Sequence, residues 1–298
     1  MKDYIIKGLA AGNEIRFIAG YTRATVEEAR RIHNTSPLTS AALGRLLTGG
    51  ALMGAMCKND TDVLTLKVSG DGPIKSITVT ADAKSNVKGI VYNNSVDLPL
   101  KENGHLDVGR AVGKGILTVI RDEGISEPYV GQTALVTGEI GDDLTYYYAE
   151  SEQIPTSVGL GVLVDRDLSI KHAGGFIIQL LPFASEETIT KLEYRLSEIS
   201  SVTDFFNEGK TPEDMMRSIL GEEIFGTDIS IEETRSTAYR CNCSRDRVTK
   251  ALISIGRTEI QSMIDDKKPV NLHCDFCNKD YEFSIPELES LLENLQPQ

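Results

Sequence analysis

The sequence has little positive charge for its length, which argues against nucleic acid as a partner. Its 298 residues carry 31 Lys and Arg against 44 Asp and Glu, which gives a formal net charge of -13. The sequence pI is about 4.9. Such a balance repels the phosphate backbones of DNA and RNA. We therefore expect no general binding to nucleic acid.

Long apolar runs are missing too. The two longest, 41–56 and 173–184, are broken by Arg45 and by Gln179 and Pro182. Both are shorter than the roughly 20 apolar residues that a membrane span requires. The opening stretch is interrupted by Lys7 before the apolar region of a signal peptide can form. With only five cysteines, four of them in one pattern, no disulfide framework is expected. These absences predict a cytoplasmic protein without a membrane partner.

Local signatures of catalysis are also absent. The stretch from Gly109 to Gly115 resembles a phosphate-binding loop but has one residue too few between its glycines, and Gly115 replaces the hydroxyl that would bind Mg²⁺. We expect a turn there, and no use of ATP. The four histidines are scattered, and no Ser-His-Asp signature accompanies them. The sequence therefore predicts a protein that is not an enzyme.

What the sequence does have is a cysteine pattern near its C-terminus. Cys241 and Cys243 are separated by one residue, and Cys274 and Cys277 by two. Zinc accepts four thiolates in a tetrahedron, and such a shell leaves no position for a reacting water. The pattern predicts one structural Zn²⁺ per chain, bound by these four residues. His273 adjoins Cys274, but four thiolates already complete the shell.

The C-x-C half of this pattern is unusual, because ordinary zinc ribbons use two C-x-x-C pairs. Zinc keeps cysteines as thiolates, and the thiolate is the form that reacts with oxidants. A site that is inert with its metal can therefore oxidise quickly once challenged. The structural site is thus a candidate sensor.

The first part of the chain predicts an α+β domain over residues 1–184, mostly antiparallel sheet with packed helices. Two short apolar runs around Gly12 and Asn13 indicate a hairpin. Helical spacing over 25–33 and a second, apolar stretch capped by Ser36 and Pro37 and ending at Cys57 predict two helices. Alternating apolar and polar residues predict strands at 63–70, 74–81, 87–94, 115–122, 133–140, 157–165 and 169–182, and 142–152 is a candidate helix.

The rest of the chain divides into a helical linker, 185–235, and a zinc-binding domain, 236–298. Apolar residues from Ile189 to Phe206 recur at intervals of three and four, and Thr211 with Pro212 forms a helix start. The linker is either an ordinary amphipathic segment or an element that docks on the sheet and can be released. The last 60 or so residues are too few for a self-sufficient core, so their folding should depend on the metal.

Several segments resemble the heat-shock protein 33 family of redox-regulated chaperones, and the resemblance covers essentially the whole chain. They are SPLTSAALGRLL (36–47), GDGPIKSITVTAD (70–82), EPYVGQTAL (127–135), SEQIPTSVGLGV (151–162), AGGFIIQLLP (173–182), GKTPEDMMRSILG (209–221) and the CNC and CDFC pairs. Asp275 stands where the family commonly has Glu.

This resemblance implies an ATP-independent holdase chaperone that is inactive when reduced and zinc-bound. It implies that oxidation pairs Cys241 with Cys243 and Cys274 with Cys277 and expels the metal. The linker then loosens, unfolding client proteins bind, and the active form is a homodimer. Two alternatives remain open from the residues alone: a zinc-ribbon regulator that binds nucleic acid or a transcription partner, and a thiol oxidoreductase.

Overall fold

The computed structural model describes residues 1–124 and 127–294. The chain splits into two compact units, Met1–Arg240 and Cys241–Gln298. No helix among the described residues combines the length and the apolar character needed to cross a membrane.

Among the described residues, twelve strands form the sheets of the two units. They are β1 (Tyr4–Ala10), β2 (Ile15–Tyr21), β3 (Val63–Gly70), β4 (Ser76–Asp82), β5 (Val87–Val91), β6 (Gly115–Asp122), β7 (Tyr129–Ala134), β8 (Thr156–Val164), β9 (Ile170–Leu180), β10 (Ser230–Ser236), β11 (Val270–Cys274) and β12 (Lys279–Phe283).

The part of the chain that the structure describes also contains eleven α-helices, which lie between or after these strands. They are α1 (Arg23–His33), α2 (Pro37–Gly54), α3 (Val108–Val112), α4 (Gly141–Tyr147), α5 (Glu186–Ser197), α6 (Val202–Asn207), α7 (Pro212–Leu220), α8 (Glu222–Phe225), α9 (Arg245–Ser254), α10 (Arg257–Asp265) and α11 (Ile285–Asn294). A short 3₁₀ turn at Ala11–Asn13 joins β1 to β2, and a π-helical turn at Tyr148–Glu152 extends α4.

The larger unit contains two five-stranded antiparallel sheets. The first has the order β10-β1-β2-β9-β8 and the second β5-β4-β3-β6-β7. The predicted hairpin around Gly12 is the β1–β2 pair, and the strands predicted at 63–70 and 115–122 are β3 and β6. The predicted α+β class, with antiparallel sheets and packed helices, is confirmed.

Helix α2 forms the centre of the larger unit because it lies between the two sheets. Every residue of α2 except Pro37 and Arg45 is buried. The Ser36 hydroxyl accepts a hydrogen bond from the amide of Thr39, the cap that the sequence predicts. The apolar character of the helix on all sides thus reflects contacts with both sheets.

Close approach of the helix to each sheet depends on glycine. A Cβ atom at Gly44 would lie 2.9 Å from Val162 of the first sheet. One at Gly50 would lie 2.9 Å from Val79 of the second. Both distances are too short for a real side chain, so these glycines allow the sheets to pack tightly on α2.

The outer face of the first sheet is covered by helices α5 to α8. Phe17, Phe176 and Ile178 of the sheet share a buried cluster with Val202 and Phe206 of α6 and with residues of α7, among others. Helix α7 begins with Thr211 as cap and Pro212 at its first position, as predicted. The apolar stripe of residues 189–206 therefore docks on the sheet, but as two helices, α5 and α6, rather than one.

Residues 230–240, which we call the bridging segment, complete the edges of both sheets. Strand β10 pairs with β1 from Tyr4↔Ser236 to Leu9↔Ser230, with a register shift between Lys7 and Gly8. The next residues follow β5, where the Val87 amide donates to the carbonyl of Ala238 at 3.0 Å. The sequence did not predict β10, because Glu232, Glu233 and Arg235 give it no apolar alternation.

The strand predicted at 133–140 is wrong for most of its length. The observed strand β7 ends at Ala134, and the following residues wrap around the carboxylate of Asp143. Asp143 accepts hydrogen bonds from the amides of Val136, Thr137, Gly138 and Ile140. One buried carboxylate therefore replaces a neighbouring strand as the partner of these amides, and apolar alternation does not reveal that choice. Helix α2 also ends earlier than predicted, at Gly54 instead of Cys57.

Candidate metal centre

The four cysteines of the C-terminal pattern come from two separate segments of the smaller unit. Cys241 and Cys243 precede α9, whose cap is Ser244. Cys274 is the last residue of β11, and Cys277 lies in the turn that leads to β12. The amides of Cys277 and Asn278 both donate to the carbonyl of Cys274, at 3.1 and 2.8 Å. This closed turn directs both thiols of the C-x-x-C pair to one side.

The four sulfur atoms form a single cluster. All of them lie within 4.8 Å of one another. The Sγ atoms of Cys241 and Cys274 are 3.7 Å apart, and those of Cys243 and Cys277 are 3.2 Å apart. Ligands at 2.3 Å in a tetrahedron lie about 3.8 Å from one another. The donor set and its spacing therefore fit a four-thiolate zinc shell.

The neighbouring histidine is not part of the cluster. His273 Nδ1 lies 2.8 Å from a carboxylate oxygen of Asp280, its partner across the β11–β12 hairpin. That hydrogen bond raises the pKa of His273. Among the described residues, the group that could hold a metal consists of the four cysteines alone.

The thiols of Cys243 and Cys277 differ in acidity because their surroundings differ. Burial raises the pKa of Cys243, but hydrogen bonds from Tyr281 and from the other thiols outweigh it and lower the pKa to about 7. Burial and the contact with Cys243 raise the pKa of Cys277 to about 12. Of these two, Cys243 more readily becomes a thiolate, the reactive form.

Tyr281 is a site residue that the sequence reasoning missed. Its hydroxyl donates to Cys243 Sγ at 3.2 Å, and this contact raises the pKa of Tyr281 to about 12. A signal for it exists in the strand pairing. Lys279 pairs with Cys274, so Tyr281, two residues further along, lies on the face of the hairpin that carries Cys274.

The apolar core that supports the centre is small. Only Leu252, Ile260, Phe283 and Leu288 are fully buried among the described residues of this unit. Arg245 lies over the ring of Phe283, 4.4 Å from its centroid, and pairs with Glu287 at 2.6 Å. Such exposed ion pairs are worth little. The unit therefore has few sources of stability besides the thiol cluster.

The fifth cysteine lies apart from this cluster, in the larger unit. Cys57 is half-buried just beyond the end of α2, and it lines a cavity of about 380 Å³ between the two sheets. Burial raises the pKa of this thiol. A protonated, half-buried thiol is less reactive than the thiolate that Cys243 readily forms.

Comparison with known proteins gives a consistent result. The family model described as Hsp33 protein matches residues 3–284. The 33 kDa chaperonin of Lachnoclostridium phytofermentans is 55% identical over 292 residues, covering 98% of this chain and 99% of that protein. The 33 kDa chaperonin of Agathobacter rectalis is 50% identical and covers 98% and 100%. The crystal structure of the 33 kDa chaperonin (heat shock protein 33 homolog) of Thermotoga maritima superposes with a TM-score of 0.88 at 36% identity, covering 98% of each chain.

Proposed function

Because the chain belongs to the Hsp33 family, we propose that it is a redox-regulated, ATP-independent holdase chaperone of the cytoplasm. The reduced, zinc-bound form is inactive, and the oxidised form binds unfolding proteins as a homodimer. The observation that supports this most directly is the cluster of four thiols within 4.8 Å of one another in a unit with a small core.

In the reduced state Cys241, Cys243, Cys274 and Cys277 hold one Zn²⁺. The metal supplies folding free energy to the unit, about 10–16 kcal/mol in peptide models, and keeps the sulfurs deprotonated. The hydroxyl of Tyr281 orients Cys243 and shares its negative charge. Outer contacts of this kind fix the position of a ligand.

Oxidation by a peroxide removes the four donors. Two thiolates give two electrons to one peroxide molecule and form one S–S bond, and the peroxide takes up two protons and leaves as two molecules of water. Two peroxide molecules therefore convert the four thiolates into two disulfides. The family pattern assigns these to Cys241–Cys243 and Cys274–Cys277. The Sγ atoms of Cys241 and Cys274, and those of Cys243 and Cys277, also lie close together, so the pairing is a point to measure by peptide mapping.

Loss of the metal leaves the smaller unit with only its small core, and such a unit unfolds. We infer that helices α5 to α8 then loosen from the first sheet. Their release uncovers apolar side chains such as Phe17 and Phe176, which are buried in the folded chain. Large exposed apolar patches of this kind bind unfolding proteins.

The test is suppression of aggregation of a denatured reporter enzyme without ATP, measured with reduced protein and with peroxide-treated protein. We expect suppression only after oxidation, and loss of zinc in parallel. Equal suppression by both forms would exclude redox control, and none in either form would exclude the chaperone. A gel shift with random DNA at low salt tests the nucleic-acid alternative, since phosphate affinity is greatest there.

A further inference from the structure

Strand β10 holds the edge of the first sheet weakly. Five of its seven residues are exposed, and only Glu233 and Arg235 are half-buried. Glu233 lies 3.7 Å from Lys7, and both side chains are about one-third exposed, so this ion pair contributes little. The register shift at Lys7 leaves Glu232 without a pairing partner on β1. The main attachments of β10 are therefore the backbone hydrogen bonds to β1 and the hydrogen bond that the Arg235 guanidinium donates to the carbonyl of Ala83.

Strand β1, with which β10 pairs, is far more apolar. Ile5 and Ile6 of β1 are buried, one in the cluster around α2 and the other in the cluster under α7. The chain places Arg235 opposite Ile5 and Glu233 opposite Lys7. Strands favour β-branched and aromatic residues, so β10 is a poor match for the edge that it covers.

A cavity lies on the face of the first sheet that carries Lys7. Its volume is about 380 Å³. Ile18, Met53, Met56 and Leu64 form an apolar part of its wall, and half of the lining residues are charged, among them Lys7 and Arg16. Lys7 is the residue that faces Glu233 across the strand pair. An apolar side chain in place of Glu233 would therefore point along the face of β1 that carries this cavity. Methionine side chains adapt to varied apolar shapes, which suits a site that accepts different sequences.

We propose that the β1 edge is a strand-addition site for an extended segment of an unfolding protein, and that the bridging segment occupies it until the switch. The segment recognised carries a large apolar side chain at the position opposite Lys7 and β-branched residues beside it. Main-chain hydrogen bonds supply sequence-independent affinity, and the apolar part of the cavity wall supplies the preference for the apolar side chain. This inference rests on the proposed function, and it specifies how clients bind.

Two substitutions of Glu233 should act in opposite directions. Glu233→Leu gives β10 an apolar side chain opposite Lys7, holds the edge closed and should lower client binding by the oxidised protein at least threefold. Glu233→Lys places a second positive charge beside Lys7 and loosens β10. It should raise client binding by the oxidised protein by a similar factor. The matched controls are Glu232→Leu and Glu232→Lys at the unpaired bulge residue. Both should leave client binding nearly unchanged.

A labelled peptide tests the edge directly. Its sequence is that of residues 229–240 with Glu233→Leu, and its binding to the full-length protein is followed by fluorescence anisotropy. We expect at least tenfold tighter binding to the oxidised form than to the reduced form. A second peptide that also carries Arg235→Pro lacks the main-chain donor that faces Ile5 of β1 and should bind at least tenfold more weakly.

Hydrogen exchange on oxidised protein shows where the peptide lies. Alternate amides of β1, those that face β10, should regain protection when the first peptide is added. If aggregation is suppressed normally but both peptides bind alike and the β1 amides stay unprotected, the edge is not the client site and the chaperone function stands. If oxidised protein suppresses no aggregation, the proposed function itself fails.

Discussion

At the scale of single residues, Glu139 joins parts of the larger unit that are distant in sequence. Its carboxylate pairs with Arg45 of α2 and with Lys101, and it accepts a hydrogen bond from the amide of Gly109 at 3.0 Å. Burial raises the pKa of Glu139, but the two cations outweigh it and the pKa lies below its ordinary value of 4.5.

Glu139→Gln should therefore lower the free energy of unfolding by about 1–3 kcal/mol at pH 7, because half-buried Arg45 loses its charged partner. A lowered pKa means that the ionised form stabilises the fold above pH 4.5, and that this contribution is lost as the pH falls through the folded-state pKa. Urea unfolding at pH 7 and pH 3.5 should show the gap between wild type and variant shrinking in acid.

The control for that experiment is Glu28→Gln, which removes an exposed i,i+3 pair with Arg31. We expect a change within about 0.5 kcal/mol at either pH. A gap between Glu139→Gln and wild type that stays constant with pH would mean that packing, and not ionisation, is what the substitution disturbs.

Cys57 gives a second prediction at this scale. Its thiol is half-buried, its pKa is raised by burial, and it is not among the clustered cysteines. Cys57→Ser should retain one zinc per chain and full activation by peroxide. Cys277→Ser, by contrast, should lose most of its zinc by elemental analysis. Loss of activation in a folded Cys57→Ser protein would show that the two-disulfide scheme is incomplete.

At the scale of elements, the docking of α6 depends on the absence of a side chain at Gly161 of β8. A Cβ atom there would lie 2.7 Å from Cγ2 of Thr203. Gly161→Ala should push α6 away from the sheet, because the helix sits directly over this strand. Hydrogen exchange in 202–207 should then rise in the reduced, zinc-bound protein, and some aggregation suppression should appear without oxidant.

The matched rescue is Gly161→Ala with Thr203→Ser, which removes the obstructing methyl group. The double variant should regain most of the protection of α6. If it behaves like Gly161→Ala alone, the effect arises from the strand and not from the helix contact.

The elements also show what sequence patterns can and cannot reveal. Strands β3 and β6 were predicted with their observed bounds, because alternation along them records one buried and one outward face. β10 was missed, since a strand held mainly by backbone bonds carries no such record. The loop around Asp143 was predicted as a strand. Hydrogen bonds from amides to a buried carboxylate produce no periodic pattern in the sequence that could have shown otherwise.

The cysteine cluster was the most predictable part of the molecule. The spacing of the cysteines within each pair is a local property of the sequence. All four cysteines could therefore be named from the sequence, and they are found together. Tyr281 was missed because its contact with Cys243 follows from the register of the β11–β12 hairpin, which the spacing of cysteines does not specify.

At the scale of the whole molecule, the two units differ greatly in the size of their cores. Removing zinc from the reduced protein with a chelator should unfold the smaller unit first, because four buried side chains cannot support it alone. Hydrogen exchange should show protection lost in 241–294 and reduced in 185–235, with β3 and β6 unchanged. Readdition of zinc should restore the protection of both segments.

Uniform loss of protection along the chain would instead mean that the units unfold together. Unchanged protection in 185–235 would mean that the linker helices do not respond to the metal.

The pairing of β1 with β10 also has a consequence for synthesis on the ribosome. Tyr4 and Ser236 are neighbours in the sheet, yet more than 200 residues separate them along the chain. At about 5–20 residues per second, roughly 10–50 s pass between the emergence of β1 and that of its edge partner. During that interval the nascent chain displays an open, apolar strand edge. A chaperone of this architecture is thus itself exposed to aggregation while it is being made, and slow translation should lower its yield of folded protein.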